Sequence, residues 1–90
     1  MASNFKILIH RSSDNLHLKL MGDFDGSSAY QLINVLKKAN PGVSKIFIHT
    51  SCLRKIIPFG RNVFIHNLRP LKNDPFTLVF TGDHASELSV

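Results

Sequence analysis

A change of hydrophobic period, from two to about 3.6 and back, restricts this chain more than any single residue does. Leu16, Leu18 and Leu20 alternate with His17, Lys19 and Met21, the pattern of a strand with one covered face. Ala29, Leu32, Ile33 and Leu36 then recur at i, i+3, i+4 and i+7, the stripe of an amphipathic helix. Ile46-Phe47-Ile48 is a short apolar run of the kind found inside a sheet that helices cover. Phe59, Val63, Phe64 and Leu68 supply the apolar side of a second helix over about 58–70, and Phe76 to Phe80 reads as a strand again. Strands separated by helices require crossover connections, so the last three strands are expected to run parallel.

The remaining segments complete that order. Phe5, Ile7 and Ile9 alternate with Lys6, Leu8 and His10, which predicts a strand over 5–10. The polar stretch Arg11-Ser12-Ser13-Asp14-Asn15 is short enough to make an antiparallel hairpin with the strand over 16–21. Gly22-Asp23-Phe24-Asp25-Gly26 interrupts the alternation with two glycines and reads as a loop. Ser28 and Gln31 have the spacing of a capping box at a helix start, and Lys37 and Lys38 suit the last turn. Asn40-Pro41-Gly42 stops that helix, a third strand follows over 43–49, and 50–57 is expected to be a loop. Pro58 suits a first helical turn, where its missing N–H would have no partner anyway. Asn73-Asp74-Pro75 is a turn, Gly82-Asp83 ends the fourth strand, and 85–90 can hold at most a turn or two of helix. The expected fold class is α/β, in the order β-β-α-β-α-β with a short C-terminal tail, as one domain over residues 1–90.

Composition excludes several functions. Net charge is +5, but the basic residues are scattered, and only Lys37-Lys38 and Arg54-Lys55 are adjacent. No stretch interleaves aromatics with Lys or Arg as an RNA-binding sheet would, so nucleic acid is not an expected partner. Apolar runs of a few residues are far short of the ~20 needed to span a bilayer, and membrane insertion is not expected. Met1-Ala2-Ser3-Asn4 lacks the regions of a signal peptide, and the single Cys52 excludes an internal disulfide, so a cytoplasmic setting is expected. Parallel strands would gather Asp23, Asp25, His49, Cys52, Asp83 and His84 at one sheet edge. No pair has a metal-ligand spacing such as CxxC or HxxxH, and no glycine-rich phosphate loop exists; no metal, cofactor or catalytic residue is expected. Ser12-Ser13, Ser27-Ser28 and Thr50-Ser51 carry hydroxyls open to phosphorylation, with helix capping as the plainer role for Ser27 and Ser28.

The run Leu18-Lys19-Leu20-Met21-Gly22-Asp23-Phe24-Asp25, followed by Ala29 and Leu32, resembles the "GxLD…A..L" opening of STAS domains, the anti-sigma-factor antagonist family. In that family a strand and loop lead to "DSSG" at the next helix start. Here Ile46-Phe47-Ile48 stands for the strand and Ile57-Pro58-Phe59-Gly60 for the motif, so only the glycine matches. The resemblance covers about residues 5–84 and implies a mixed four-stranded sheet with helices packed on one face. It also implies that Pro58 occupies the position of the phosphorylated serine, where proline offers no hydroxyl.

The function implied by the resemblance is that of a non-enzymatic bacterial regulatory module that binds a protein partner without being switched at Pro58. The implied partner is a kinase-like anti-sigma factor, and the expected contact residues are Asp23, Asp25, Ser27, Arg54, Lys55, Ile57, Pro58, Phe59 and Arg61. The family also contains subunits of membrane transporters, lipid transporters among them, and domains that bind nucleotides or small ligands. STAS domains usually continue beyond the fourth strand, whereas only Asp83 to Val90 follow it here. Apolar surface left uncovered there would favour a homodimer.

Overall fold

The computed structural model describes residues 4–38, 42–73 and 76–89, with the side chains of Lys72 and Asn73 left aside. The chain forms β1 (Lys6–Ser12), β2 (Asn15–Phe24), α1 (Gly26–Lys37), β3 (Lys45–Ile56) and α2 (Pro58–Leu68). A 3-10 turn (Arg69–Asn73), β4 (Thr77–Thr81) and the single-turn helix α3 (Ala85–Leu88) complete it. The four strands make one sheet in the order β1-β2-β3-β4. β1 pairs antiparallel with β2, and β2, β3 and β4 are mutually parallel, as the alternation of periods requires. Most of the expected Asn40-Pro41-Gly42 stop and of the Asn73-Asp74-Pro75 turn lies outside the described residues.

The sheet has one covered and one open face. Leu16, Leu18 and Leu20 of β2 and Ile46 and Ile48 of β3 point to the covered side and are buried. Ala29, Leu32, Ile33 and Leu36 of α1, with Phe64 and Leu68 of α2, meet them there. Rings of Phe5, Phe24, Phe64 and Phe80 run through this layer edge to face, with successive centroids 5.8, 6.0 and 6.1 Å apart. That geometry aligns the positive edge of one ring with the negative face of the next.

Two elements differ from expectation, for related reasons. β2 continues through Gly22 to Phe24, with Gly22 at φ +91°, a backbone conformation open to glycine, so the expected loop at 22–26 shrinks to Asp25 alone. β3 runs to Ile56 rather than stopping at His49, and its pairing with β2 contains two register shifts that break the alternation of its side chains. Lys19 pairs with His49 but Met21 with Cys52, and Gly22 pairs with Leu53 but Asp23 with Lys55. Each shift places one extra residue on β3, which is a β-bulge. Inward positions therefore fall at Thr50, Leu53 and Ile56, a spacing of three that hides the strand from a search for alternation.

The carboxyl end of β2 and the bulged end of β3 set the helices close together. Ile57 N–H donates to the Phe24 carbonyl at 2.9 Å, which carries the chain from β3 into α2 beside the start of α1. A Cβ on Gly60 would lie 2.5 Å from the Asp25 carbonyl carbon, so α2 reaches this position only without a side chain there. Thr50, fully buried, donates to the Thr81 carbonyl at 2.7 Å and accepts from His84 N–H at 3.1 Å, tying β3 to the turn after β4. Gly60→Ala is expected to lower stability by about 1–3 kcal/mol through overpacking. Gly42→Ala, where the nearest atom is an Arg11 side-chain nitrogen at 3.5 Å, should be close to neutral. Urea unfolding of the two variants checks the contrast.

Candidate functional site

The carboxyl ends of β2 and β3 and the first turns of α1 and α2 form one continuous edge. Asp25 is the N-cap of α1, with extended backbone at φ −115° and ψ −167°. Its Oδ1 accepts from Ser28 N–H at 2.9 Å, from the Ser28 hydroxyl at 3.0 Å and from the Ser27 hydroxyl at 2.9 Å. The cap is therefore Asp25 and not Ser28: a carboxylate accepts several bonds at once and its charge suits the helix N-terminus. Ser28 is fully buried with its hydroxyl also shared with the Asp23 carbonyl at 3.1 Å, which removes it as an accessible phosphate acceptor. Ser27 stays exposed.

Arg54 sits in the second bulge of β3, and the extra residue aims it at Asp23. Its Nε donates to Asp23 Oδ1 at 2.9 Å and its Nη2 to Oδ2 at 2.7 Å, a two-pronged pair that matches fork to carboxylate. The guanidinium is 69% exposed and the carboxylate 17%. This hydrogen bonding holds the Asp23 carboxyl below its ordinary range and the Arg54 guanidinium above its own. Asn4 adds two longer contacts to Asp23, both at 3.4 Å. Lys55, opposite Asp23 in the register, is exposed.

Pro58 is the first residue of α2, and the cap residue Ile57 makes no side-chain hydrogen bond to the helix. Phe59 follows at 69% exposure, the most exposed large hydrophobic group among the described residues. The ring is not free of the fold: a Cβ on Gly26 would lie 2.9 Å from Phe59 Cε2, so glycine at the start of α1 makes room for it. Arg61 is directed elsewhere, donating from Nε to the Glu87 carbonyl of α3 at 2.6 Å. The structure thus brings together Asp23, Asp25, Ser27, Arg54, Ile57, Pro58 and Phe59, with Lys55 alongside, and sets Arg61 on the side of α2 that meets α3.

The gathered acid and histidine edge does not form a single cluster. His49 lies on the open sheet face, its Nδ1 2.7 Å from Thr81 Oγ1, and His84 pairs with Glu87 at 3.0 Å. Cys52 is a free, exposed thiol. Among the described residues, no group of three or more His, Cys, Asp or Glu side chains is placed to hold a metal ion. Sequence reasoning missed the His17–His49 contact, 3.0 Å between Nδ1 and Nε2, which only the strand register reveals.

A mixed four-stranded sheet with helices on one face and two helix N-termini meeting at the ends of adjacent parallel strands defines the architecture. No family model matches the sequence, and no curated protein matches it. Solved structures do. An antisigma-factor antagonist STAS domain from Rhodobacter sphaeroides superposes with a TM-score of 0.71 at 14% identity, covering 100% of both chains. The anti-sigma factor antagonist SpoIIAA in its unphosphorylated form gives 0.61 at 15% identity, over 84% of this chain and 70% of that one. A crystal structure of Mglu gives 0.74 at 18% identity over 84% of this chain, yet this chain spans only 19% of the Mglu chain. The chain has the STAS-domain fold.

The Asp25 carboxyl is held below its ordinary pKa, first by the Ser28 backbone N–H and then by the Ser27 and Ser28 hydroxyls. A carboxyl with a lowered folded-state pKa adds stability above its unfolded pKa, and that stability is lost as pH falls through the folded value. Asp25→Ala is therefore expected to cost about 1–2 kcal/mol at neutral pH. The gap between variant and parent should close as pH drops below the ordinary carboxyl value of 3.8, as thermal unfolding against pH would show.

Proposed function

We propose that this chain is a non-enzymatic protein-interaction module of the anti-sigma-factor antagonist type, acting in the bacterial cytoplasm. It binds its partner through the edge built from Asp23, Asp25, Ser27, Arg54, Lys55, Ile57, Pro58 and Phe59. The observation that carries this reading is Phe59: a phenylalanine 69% exposed on the first turn of a helix, beside an Arg54–Asp23 pair. Aromatic and arginine side chains are the usual anchors of protein interfaces. The partner class is a kinase-like anti-sigma factor, in keeping with the fold shared with antagonists of anti-sigma factors.

Binding at this edge is constitutive. Pro58 stands where the STAS resemblance places the phosphorylated serine, and it carries no hydroxyl. Ser28 is buried, so a kinase acting here is left only with Ser27. A phosphate on Ser27 would stand next to the Asp25 carboxylate, which already accepts its hydroxyl at 2.9 Å, and like charges would oppose it. Helices long and apolar enough to cross a membrane are absent among the described residues. A subunit of a membrane-transport complex is the second reading, favoured by the same missing hydroxyl, since a permanent subunit needs no release step. Neighbouring genes for a serine kinase and sigma factor support the first reading, and genes for an ATPase and permease the second.

Phe59→Asp is expected to weaken binding to an anti-sigma factor encoded beside this gene by at least about thirtyfold, or ~2 kcal/mol, with the fold retained because the ring is exposed. Arg61→Ala, on the other side of α2, should change it less than about threefold. Titration calorimetry checks both, and equal losses would place the contact elsewhere. Incubation with that factor and ATP is expected to leave the mass of the chain unchanged.

A further inference from the structure

The sheet face turned away from the helices meets the proposed partner-binding edge only at the Asp23 end of β2. The strand register puts Lys6 and His10 of β1, His17 and Lys19 of β2, and Lys45 and His49 of β3 on it. Among the described residues, carboxylates lie only at its ends. Asp14 is in the β1–β2 turn, bonded to the Ser44 hydroxyl at 3.0 Å, and Asp23 at the end of β2 is held by Arg54. The other described carboxylates, Asp25, Asp83 and Glu87, are off the strands. Leu8, 51% exposed, and the half-buried Phe47 and Val79 give the middle of the face an apolar floor.

The imidazoles are ordered. His17 and His49 rings lie within 2° of parallel and meet at 3.0 Å, Nδ1 to Nε2, and His49 Nδ1 meets Thr81 Oγ1 at 2.7 Å. Thr81, His49 and His17 therefore form one hydrogen-bonded row across β4, β3 and β2. In one polarity the Thr81 hydroxyl donates to His49 Nδ1, and His49 Nε2–H donates to His17 Nδ1. His17 Nε2, without a partner among the described residues, then carries an N–H and donates outward. An anion at that nitrogen selects this polarity without taking up a further proton. Burial, then the nearby His17 and Lys19, keeps the His49 pKa below the ordinary imidazole value, consistent with a neutral ring in the row.

We propose that this open face is a second interaction surface, and that its occupant is an acidic polypeptide segment. Charge is complementary: lysine ammonium groups and an imidazole N–H make charge-assisted bonds to carboxylates. Spacing agrees as well. An extended peptide presents every second side chain on one side at about 6.6–6.8 Å, the period of outward positions along a strand. A second copy of the chain is a poor occupant, because a two-fold contact would set this basic face against itself. Single-stranded nucleic acid stacks its bases on free ring faces. Here Phe47 and His17 stack on each other, 4.7 Å apart and within 7° of parallel.

Poly-L-glutamate titrated into the labelled chain at low ionic strength, followed by amide shifts, tests the proposal. Shifts are expected at Lys6–His10, His17–Lys19 and Phe47–His49, fading as salt is raised. Lys19→Glu should weaken binding at least about tenfold, while Lys37→Glu, the same charge change at the end of α1, stays within about twofold. Absence of binding, shifts confined to α1 and α2, or equal losses in the two variants would overturn it. Tighter binding of oligouridylate than of poly-L-glutamate, or dimerisation through this face, would do the same.

Discussion

The parallel pairing of β2 with β3 is the constraint on which the other elements depend. It joins Asn15–Phe24 to Lys45–Ile56 and brings Leu16, Leu18 and Leu20 beside Ile46 and Ile48. Parallel strands need a crossover, and α1 is that crossover, so its apolar stripe has one available surface to cover. β1 attaches by a two-residue turn at Ser13-Asp14, and β4 adds in parallel on the far side of β3. The two bulges belong to this pairing and lie toward its carboxyl end. They swing Arg54 onto Asp23 and deliver Ile57 to the Phe24 carbonyl, so the pairing also shapes the edge proposed for binding.

Regular parts of the fold are legible in the sequence because their periods are undisturbed. The stripe Ala29, Leu32, Ile33 and Leu36 is buried as its spacing predicts, and the alternation at Leu16, Leu18 and Leu20 marks the covered face. Legibility ends where a bulge or a backbone-only contact takes over. Thr50, Leu53 and Ile56 point inward at a spacing of three, which looks like loop or helix when β2 is out of view. Gly22 and Gly26 read as breaks, yet one lies within a strand and the other opens a helix. The cap falls on Asp25 rather than Ser28 for an energetic reason: the two serines spend their hydroxyls on the carboxylate that does the capping.

The candidate edge is legible as a set of residues but not as a geometry. Arg54 and Asp23 are thirty-one residues apart, and nothing in their local sequence announces a two-pronged pair. Arg61 reads as part of the same loop, whereas one turn of helix is enough to send it to α3. The open face is a further case. His10, His17 and His49 look like scattered polar positions on three separate strands, and only the register makes them neighbours.

Gly26 and Phe59 together have a bearing on how fast and how tightly an encounter at this edge can succeed. An exposed aromatic ring ordinarily samples several rotamers, and a partner must select one of them, at a cost of about 0.5–1.5 kcal/mol for an immobilised side chain. Here the ring rests over a residue with no side chain, close enough that a single methyl group would collide with it. Contact of this kind would narrow the ring's freedom before any partner arrives. Part of the ordering that the proposed binding demands would then already be in place in the free protein, supplied by a glycine that itself need never touch the partner.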